Sequence, residues 1–273
     1  MGAMTRRASL LTALVATVGL LGTACSTSAP QSGTGYQVTR MTSSTGQAEL
    51  LLRPDRAVSG LVLFMHGFAA NEKQVIGDSS LFPVRDALLA AGYAIASSNS
   101  HGNNVGNPES VQDQQNLLRD ARARLGTTPT VDILAVSMGG VDALLAAATH
   151  AIPGLRSVAL LSPVTNTSAY LNTGYRDAIS AAFGHPAASD LEDIVARNNP
   201  MLLPARDFVD YQYGFWRSTQ DKVVPSNQSD EMAGRLVRAG ASVTLSRLSG
   251  DHGNFSTLQP AQVVELFTSR GSR

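Results

Sequence analysis

From Gly60 to Arg270, short apolar runs alternate with stretches long enough to form helices of ten or more residues, and no other feature restricts the fold as strongly. GLVLFMHG (60–67), YAIASSN (93–99), TVDILAVS (130–137) and LRSVALLSP (155–163) read as buried strands. Between them, SLFPVRDALLAAG (80–92), PESVQDQQNLLRDARARLG (108–126) and the segment from Met138 to about His150 read as helices, two of them closed by Gly92 and Gly126. Strands joined by helices of that length imply βαβ crossovers. The expectation is an α/β fold with a mostly parallel central sheet and helices on both faces. YQVTRM (36–41) and QAELLLRP (47–54) precede this pattern as an N-terminal hairpin.

The alternation breaks between about 164 and 206, a stretch too long for an ordinary connection and containing helical pieces, so a small cap inserted above the sheet is expected there. DFVDYQYGFWRS (207–218) resumes as a strand, SNQSDEMAGRLVRAG (226–240) as a helix, SVTLSRLSG (242–250) as the last strand and PAQVVELFTSR (260–270) as a closing helix. With 273 residues, 43% of them hydrophobic, the chain can bury one substantial core. Its 21 basic and 21 acidic residues leave no nucleic-acid footprint.

Ser137 ends the strand VDILAV and begins the helix MGGVDALLAAATH. A plain N-cap would explain a serine at a helix start. It would not call for small residues two places to either side, and here those are Ala135 and Gly139. A strand turning directly into a helix strains the corner residue, needs small neighbours, and presents the side-chain oxygen at the carboxyl edge of the sheet. The helix start also favours negative charge on a reacting oxygen.

These residues resemble the nucleophile motif of the α/β-hydrolase family, with Ala135 in its first glycine position, and the likeness runs from about Gly60 to Arg270. The resemblance implies a serine that attacks an acyl carbon, a histidine that takes its proton and a carboxylate that orients the histidine, in the chain order Ser, Asp or Glu, His. His66 and His101 precede Ser137, His150 ends the following helix about 20 Å away, and His185 falls in the expected cap. His252, in LSGDHGNF after the last strand, is the expected base. Asp221, in RSTQDKVVP after the penultimate strand, is the expected acid; Asp251 adjoins the base, and Asp207 and Asp210 come too early. FMHGFAA resembles the family's His-Gly segment, so the backbone N–H groups of Phe68 and Met138 are the expected oxyanion donors. Phe68, Met138, Tyr170, Tyr175, Tyr211 and Trp216 are candidates for an apolar acyl pocket, and the loop from Ser98 to Ser110 for its border. No zinc-binding or phosphate-loop motif is present, so no metal or cofactor is expected.

The N-terminus carries Arg6 and Arg7, an apolar stretch from Leu10 to Leu21 and then small residues, as export signals do. Residues 1–24 are read as that signal, by the general or the twin-arginine route. LLGTAC resembles the lipobox of bacterial lipoproteins, which implies a lipid on Cys25, the sole cysteine; ordinary cleavage after Ala24 is the alternative. Residues 25–35 are small and polar and read as a tether, leaving 36–273 as the folded domain, with a charge of −2 from 19 basic and 21 acidic residues once 1–24 are removed. The expected protein is an exported serine hydrolase of small acyl esters, secreted or held at the cell surface, touching the membrane only through that lipid. A non-catalytic ligand-binding lipoprotein and an acyltransferase using the same residues are the alternatives.

Overall fold

The computed structural model describes residues 35–269. The expected export segment, Cys25 and all of the expected tether except Gly35 lie outside these residues. The chain begins with an antiparallel pair, β1 (Tyr36–Thr42) and β2 (Ala48–Pro54). It continues through β3 (Gly60–Met65), α1 (Gln74–Gly77), α2 (Phe82–Ala90), β4 (Tyr93–Ser98), α3 (Pro108–Leu125), β5 (Val131–Val136), α4 (Gly139–Ala148) and β6 (Leu155–Leu161). Before the next strand come a 3-10 turn at Thr167–Tyr170, α5 (Arg176–Ala182), α6 (Ala188–Arg197) and two more 3-10 turns. β7 (Gln212–Ser218), α7 (Ser226–Ala239), β8 (Ser242–Leu248) and α8 (Pro260–Thr268) complete the described chain.

All eight strands form one sheet in the order β1-β2-β4-β3-β5-β6-β7-β8. β2 pairs antiparallel with β4, and every pairing from β4 to β8 is parallel. A strand buried on both faces is a nearly continuous apolar run, and β5 shows how that demand is met, its one polar residue, Asp132, being paired with Arg156 at 2.8 Å. All six of its residues are buried. Val131, Ile133 and Ala135 belong to one core with Leu117 of α3, Leu144 of α4 and Leu236 of α7, while Leu134 and Val136 belong to another with Leu88 of α2 and Phe267 of α8. Strand parity thus divides the interior into two cores, one on each side of the sheet. Each buried leucine in them contributes about 1.5–3 kcal/mol relative to exposure.

Two expectations shift. The strand expected from Asp207 begins only at Gln212, because Ala205–Phe208 form a 3-10 turn whose Phe208 is buried. The carbonyl of Phe208 accepts a 2.9 Å bond from Tyr213 Oη, which ties the turn to the strand it precedes. The short helix α1 is also additional to the elements read from the sequence.

Candidate active site

Parallel strands β3, β5, β6, β7 and β8 end at one edge of the sheet, and the loops leaving that edge build the site. At the end of β5 the chain turns on Ser137, whose φ is +53°, a conformation that L-residues adopt only when their surroundings impose it. The Ser137 N–H donates to the Leu161 carbonyl at 3.0 Å, and its own carbonyl accepts from Gly140 and Val164, each at 2.9 Å. Small neighbours are a steric necessity: a β carbon on Gly139 would stand 2.3 Å from the Met65 carbonyl oxygen.

Ser137 Oγ lies 2.9 Å from His252 Nε2, and His252 Nδ1 lies 2.6 Å from Asp221 Oδ2. The second carboxylate oxygen, Oδ1, accepts from the amides of Val223 at 2.9 Å and Val224 at 2.8 Å. Burial alone would raise the Asp221 pKa, but the bond from His252 and those two amides outweigh it and hold the carboxyl below its ordinary range. The loops carrying acid and base are stitched together. Ser218 Oγ donates to the Gly250 carbonyl at 2.6 Å, and the Gly250 N–H donates to Gln220 Oε1 at 2.7 Å. Gly250 and Gly253 take φ values of +94° and +76°, so the loop after β8 can bend His252 back over the sheet edge.

Phe68 follows β3 beside the nucleophile; a β carbon on Gly67 would sit 3.5 Å from Ser137 Cβ. The Gly67 N–H donates to Gln74 Oε1 at 2.8 Å and the Ala69 N–H to Asn103 Oδ1 at 2.7 Å. Between them, the Phe68 N–H is bonded to no other described residue, and neither is that of Met138. Two amides unpaired among the described residues therefore lie by Ser137, that of Met138 next to it in sequence and that of Phe68 on the loop after β3 that passes beside it.

The groove leading to Ser137 is open to solvent. Phe68, Tyr175 and Tyr170 form one wall, with edge-to-face contacts of 5.3 and 5.7 Å between ring centres. Met138, Ile179 and Val224 line the rest of it with other small or apolar side chains, and among the described residues no charged group lines it. Tyr211 and Trp216 are not part of it. Tyr211 precedes β7, at the opposite edge of the sheet, where its hydroxyl lies 2.8 Å from His150 Nδ1. Trp216 points from β7 into the core against α8, its indole N–H donating to Gln262 at 3.1 Å.

The remaining histidines lie away from Ser137 Oγ. His66 is buried beneath the Phe68 segment, its ring nitrogens 2.8 Å from the Gly67 carbonyl and 2.9 Å from that of Asn99. His101 pairs with Asp113 at 2.6 Å, and His185 follows α5 in the segment between β6 and β7. Asp251 is exposed. Sequence reasoning missed Gln74 and Ile179, whose only local signals are a polar and an apolar residue in otherwise ordinary segments; Asn103 falls in the Ser98–Ser110 loop expected at the border, where Val105 lines the groove, but was not singled out. Among the described residues no three His, Asp or Glu side chains converge as metal ligands.

No family model and no curated protein matches the sequence. Solved structures do match. An esterase of Pyrococcus furiosus superposes with a TM-score of 0.64 at 15% identity, over 86% of this chain and 92% of that one. A truncated carbohydrate esterase from gut microbiota gives 0.69 at 19% identity, over 85% of this chain and 96% of that one. For an acylaminoacyl peptidase of Pyrococcus horikoshii the score is 0.64 at 16% identity, over 86% of this chain but 40% of that one. At such identities the likeness is one of fold.

Proposed function

The chain has the α/β-hydrolase fold, and we propose that it is a serine hydrolase cleaving carboxylic esters of uncharged small molecules through an acyl-enzyme on Ser137. The observation that carries this reading is the 2.9 Å contact between a strained, edge-mounted serine hydroxyl and His252 Nε2. Attack by Oγ on the ester carbon passes the hydroxyl proton to Nε2 and the carbonyl π electrons to the oxygen. The amides of Phe68 and Met138 stabilise that oxyanion. Collapse breaks the bond to the alcohol, which leaves with the proton from His252. Water then repeats the sequence on the acyl-enzyme and restores Ser137. Asp221 holds the ring in the tautomer with Nδ1 protonated and offsets the positive charge that develops on it.

The fold supports a hydrolase, and two of the structural neighbours named above are esterases. The groove favours an apolar, uncharged acyl or alcohol group, because a charged one would be desolvated without a partner there. A fluorophosphonate probe tests the chemistry. The expected result is stoichiometric labelling of the native protein, absent in Ser137→Ala, with turnover of short p-nitrophenyl esters exceeding that of matching anilides. Labelling that survives Ser137→Ala would overturn the reading, and anilide turnover matching the ester rate would move it to an amidase.

A further inference from the structure

Asp142 is a buried carboxyl close to the site that the proposed chemistry does not use. It lies one and a half turns beyond Ser137 in α4, 2% exposed, and accepts from Asn104 Nδ2 and from Ser110 Oγ, both at 2.9 Å. Removal from water raises its carboxyl to about 6, opposed by those two bonds and by the nearby His66, with Asp113 adding to the rise. Asn104 belongs to the loop Asn99–Asn107, between β4 and α3.

That loop cannot hold its shape unaided. Ser100, His101 and Val105 all have positive φ, and for a β-branched residue such as Val105 this is a costly conformation. Bonds within the loop and clamps from outside it compensate. Asn104 Nδ2 also donates to the Ser100 carbonyl at 2.9 Å, and Asn104 Oδ1 accepts from Gly106 at 3.0 Å. Gly106 packs so closely on α4 that a β carbon there would stand 2.4 Å from Val141 Cγ1. Asn107 caps α3 and donates from Nδ2 to the Ala182 carbonyl of α5 at 3.0 Å.

The clamped loop touches the site twice. Asn103 Oδ1 takes the Ala69 N–H at 2.7 Å and so fixes the segment carrying the Phe68 amide. Val105 lines the groove beside Met138. We propose that Asn103 and Asp142 are positioning residues for the reaction: Asp142 anchors the Asn99–Asn107 loop, and Asn103 transmits that anchorage to the Phe68 oxyanion donor. Neither touches substrate. The inference rests on the hydrolytic reading of Ser137.

Steady-state kinetics on a p-nitrophenyl ester, with sites counted by fluorophosphonate labelling, test it. Asn103→Ala alters an exposed contact and leaves the fold intact, and kcat is expected to fall about 10- to 100-fold with KM little changed, as displacement of a stabilising group produces. Asp142→Leu should lower kcat similarly and raise KM, because Val105 moves with the loop. Asp142→Asn should recover most of that loss, its carbonyl accepting from Asn104 and its amide donating to Ser110, whose hydroxyl also lies 2.8 Å from the Asn107 carbonyl. In the Asn103→Ala/Asp142→Leu double variant, kcat should fall no further than in Asp142→Leu alone. If Asp142→Leu does not fold, Asn104→Ala takes its place in the cycle. Wild-type kcat in Asn103→Ala, or strictly additive losses, would overturn the proposal. If Ser137→Ala abolishes turnover in the same assays, such a result removes only the positioning claim; if Ser137→Ala retains turnover, the hydrolytic reading itself has failed.

Discussion

His252 Nδ1 and Asp221 Oδ2 stand 2.6 Å apart, while the other oxygen of the same carboxylate is held by two main-chain amides. The amides fix which face of Asp221 the ring can meet. Asp221→Asn preserves size but offers an N–H₂ donor where the ring needs an acceptor, unless the side chain turns that group onto the amides of Val223 and Val224 instead. Both choices are unfavourable. The expected outcome is a fall in kcat of about 10⁴, as when the orienting carboxylate of a serine protease is amidated, with the fold retained by circular dichroism. A loss under tenfold would show that the contact is structural.

Glu49 faces a different problem. It is 1% exposed on β2, opposite Ser98, and neither carboxylate oxygen has a hydrogen-bond partner among the described residues. Burial, reinforced by Asp120 and Asp113 and opposed by Arg119, raises its pKa from 4.5 to about 7. The folded state therefore binds this proton more tightly than the unfolded chain does. Stability from the protonated form is full below pH 4.5 and declines as pH rises to about 7. Glu49→Gln should be close to wild type in denaturant unfolding at pH 5 and more stable by on the order of 1–3 kcal/mol at pH 8. An equal difference at both pH values would remove Glu49 as the source.

The sheet was legible because a parallel strand buried on both faces is a nearly continuous apolar run: GLVLFM has no polar side chain, and VDILAV has only Asp132, which pairs with Arg156. The Ser137 corner was legible for a related reason: backbone closure there tolerates only small neighbours, and Ala135 and Gly139 record that demand locally. The assignment of aromatics to the groove went astray at Tyr211 and Trp216. Whether a strand residue faces the site depends on where the strand begins, and the 3-10 turn at Ala205–Phe208 placed that start at Gln212, leaving Tyr211 at the far edge. Asn103, Gln74 and Asp142 were hidden for another reason. Their partners, Ala69, Gly67 and Asn104, lie 34, 7 and 38 positions away, and no local pattern encodes such pairings.

The backbone angle of +53° at Ser137 sets the geometry of attack, and it also sets an energy. A residue with a β carbon loses about 1–2 kcal/mol in that left-handed region relative to the right-handed one, whereas glycine loses almost nothing. Ser137→Gly and Ser137→Ala both lack the hydroxyl, yet the glycine variant should unfold at the higher denaturant midpoint, even after the greater freedom of its unfolded chain is counted. Equal midpoints would mean that the turn is unstrained. If the order is as expected, the residue that thermodynamics prefers at position 137 is one incapable of reacting, and nucleophilicity is maintained there at the expense of the native state's depth.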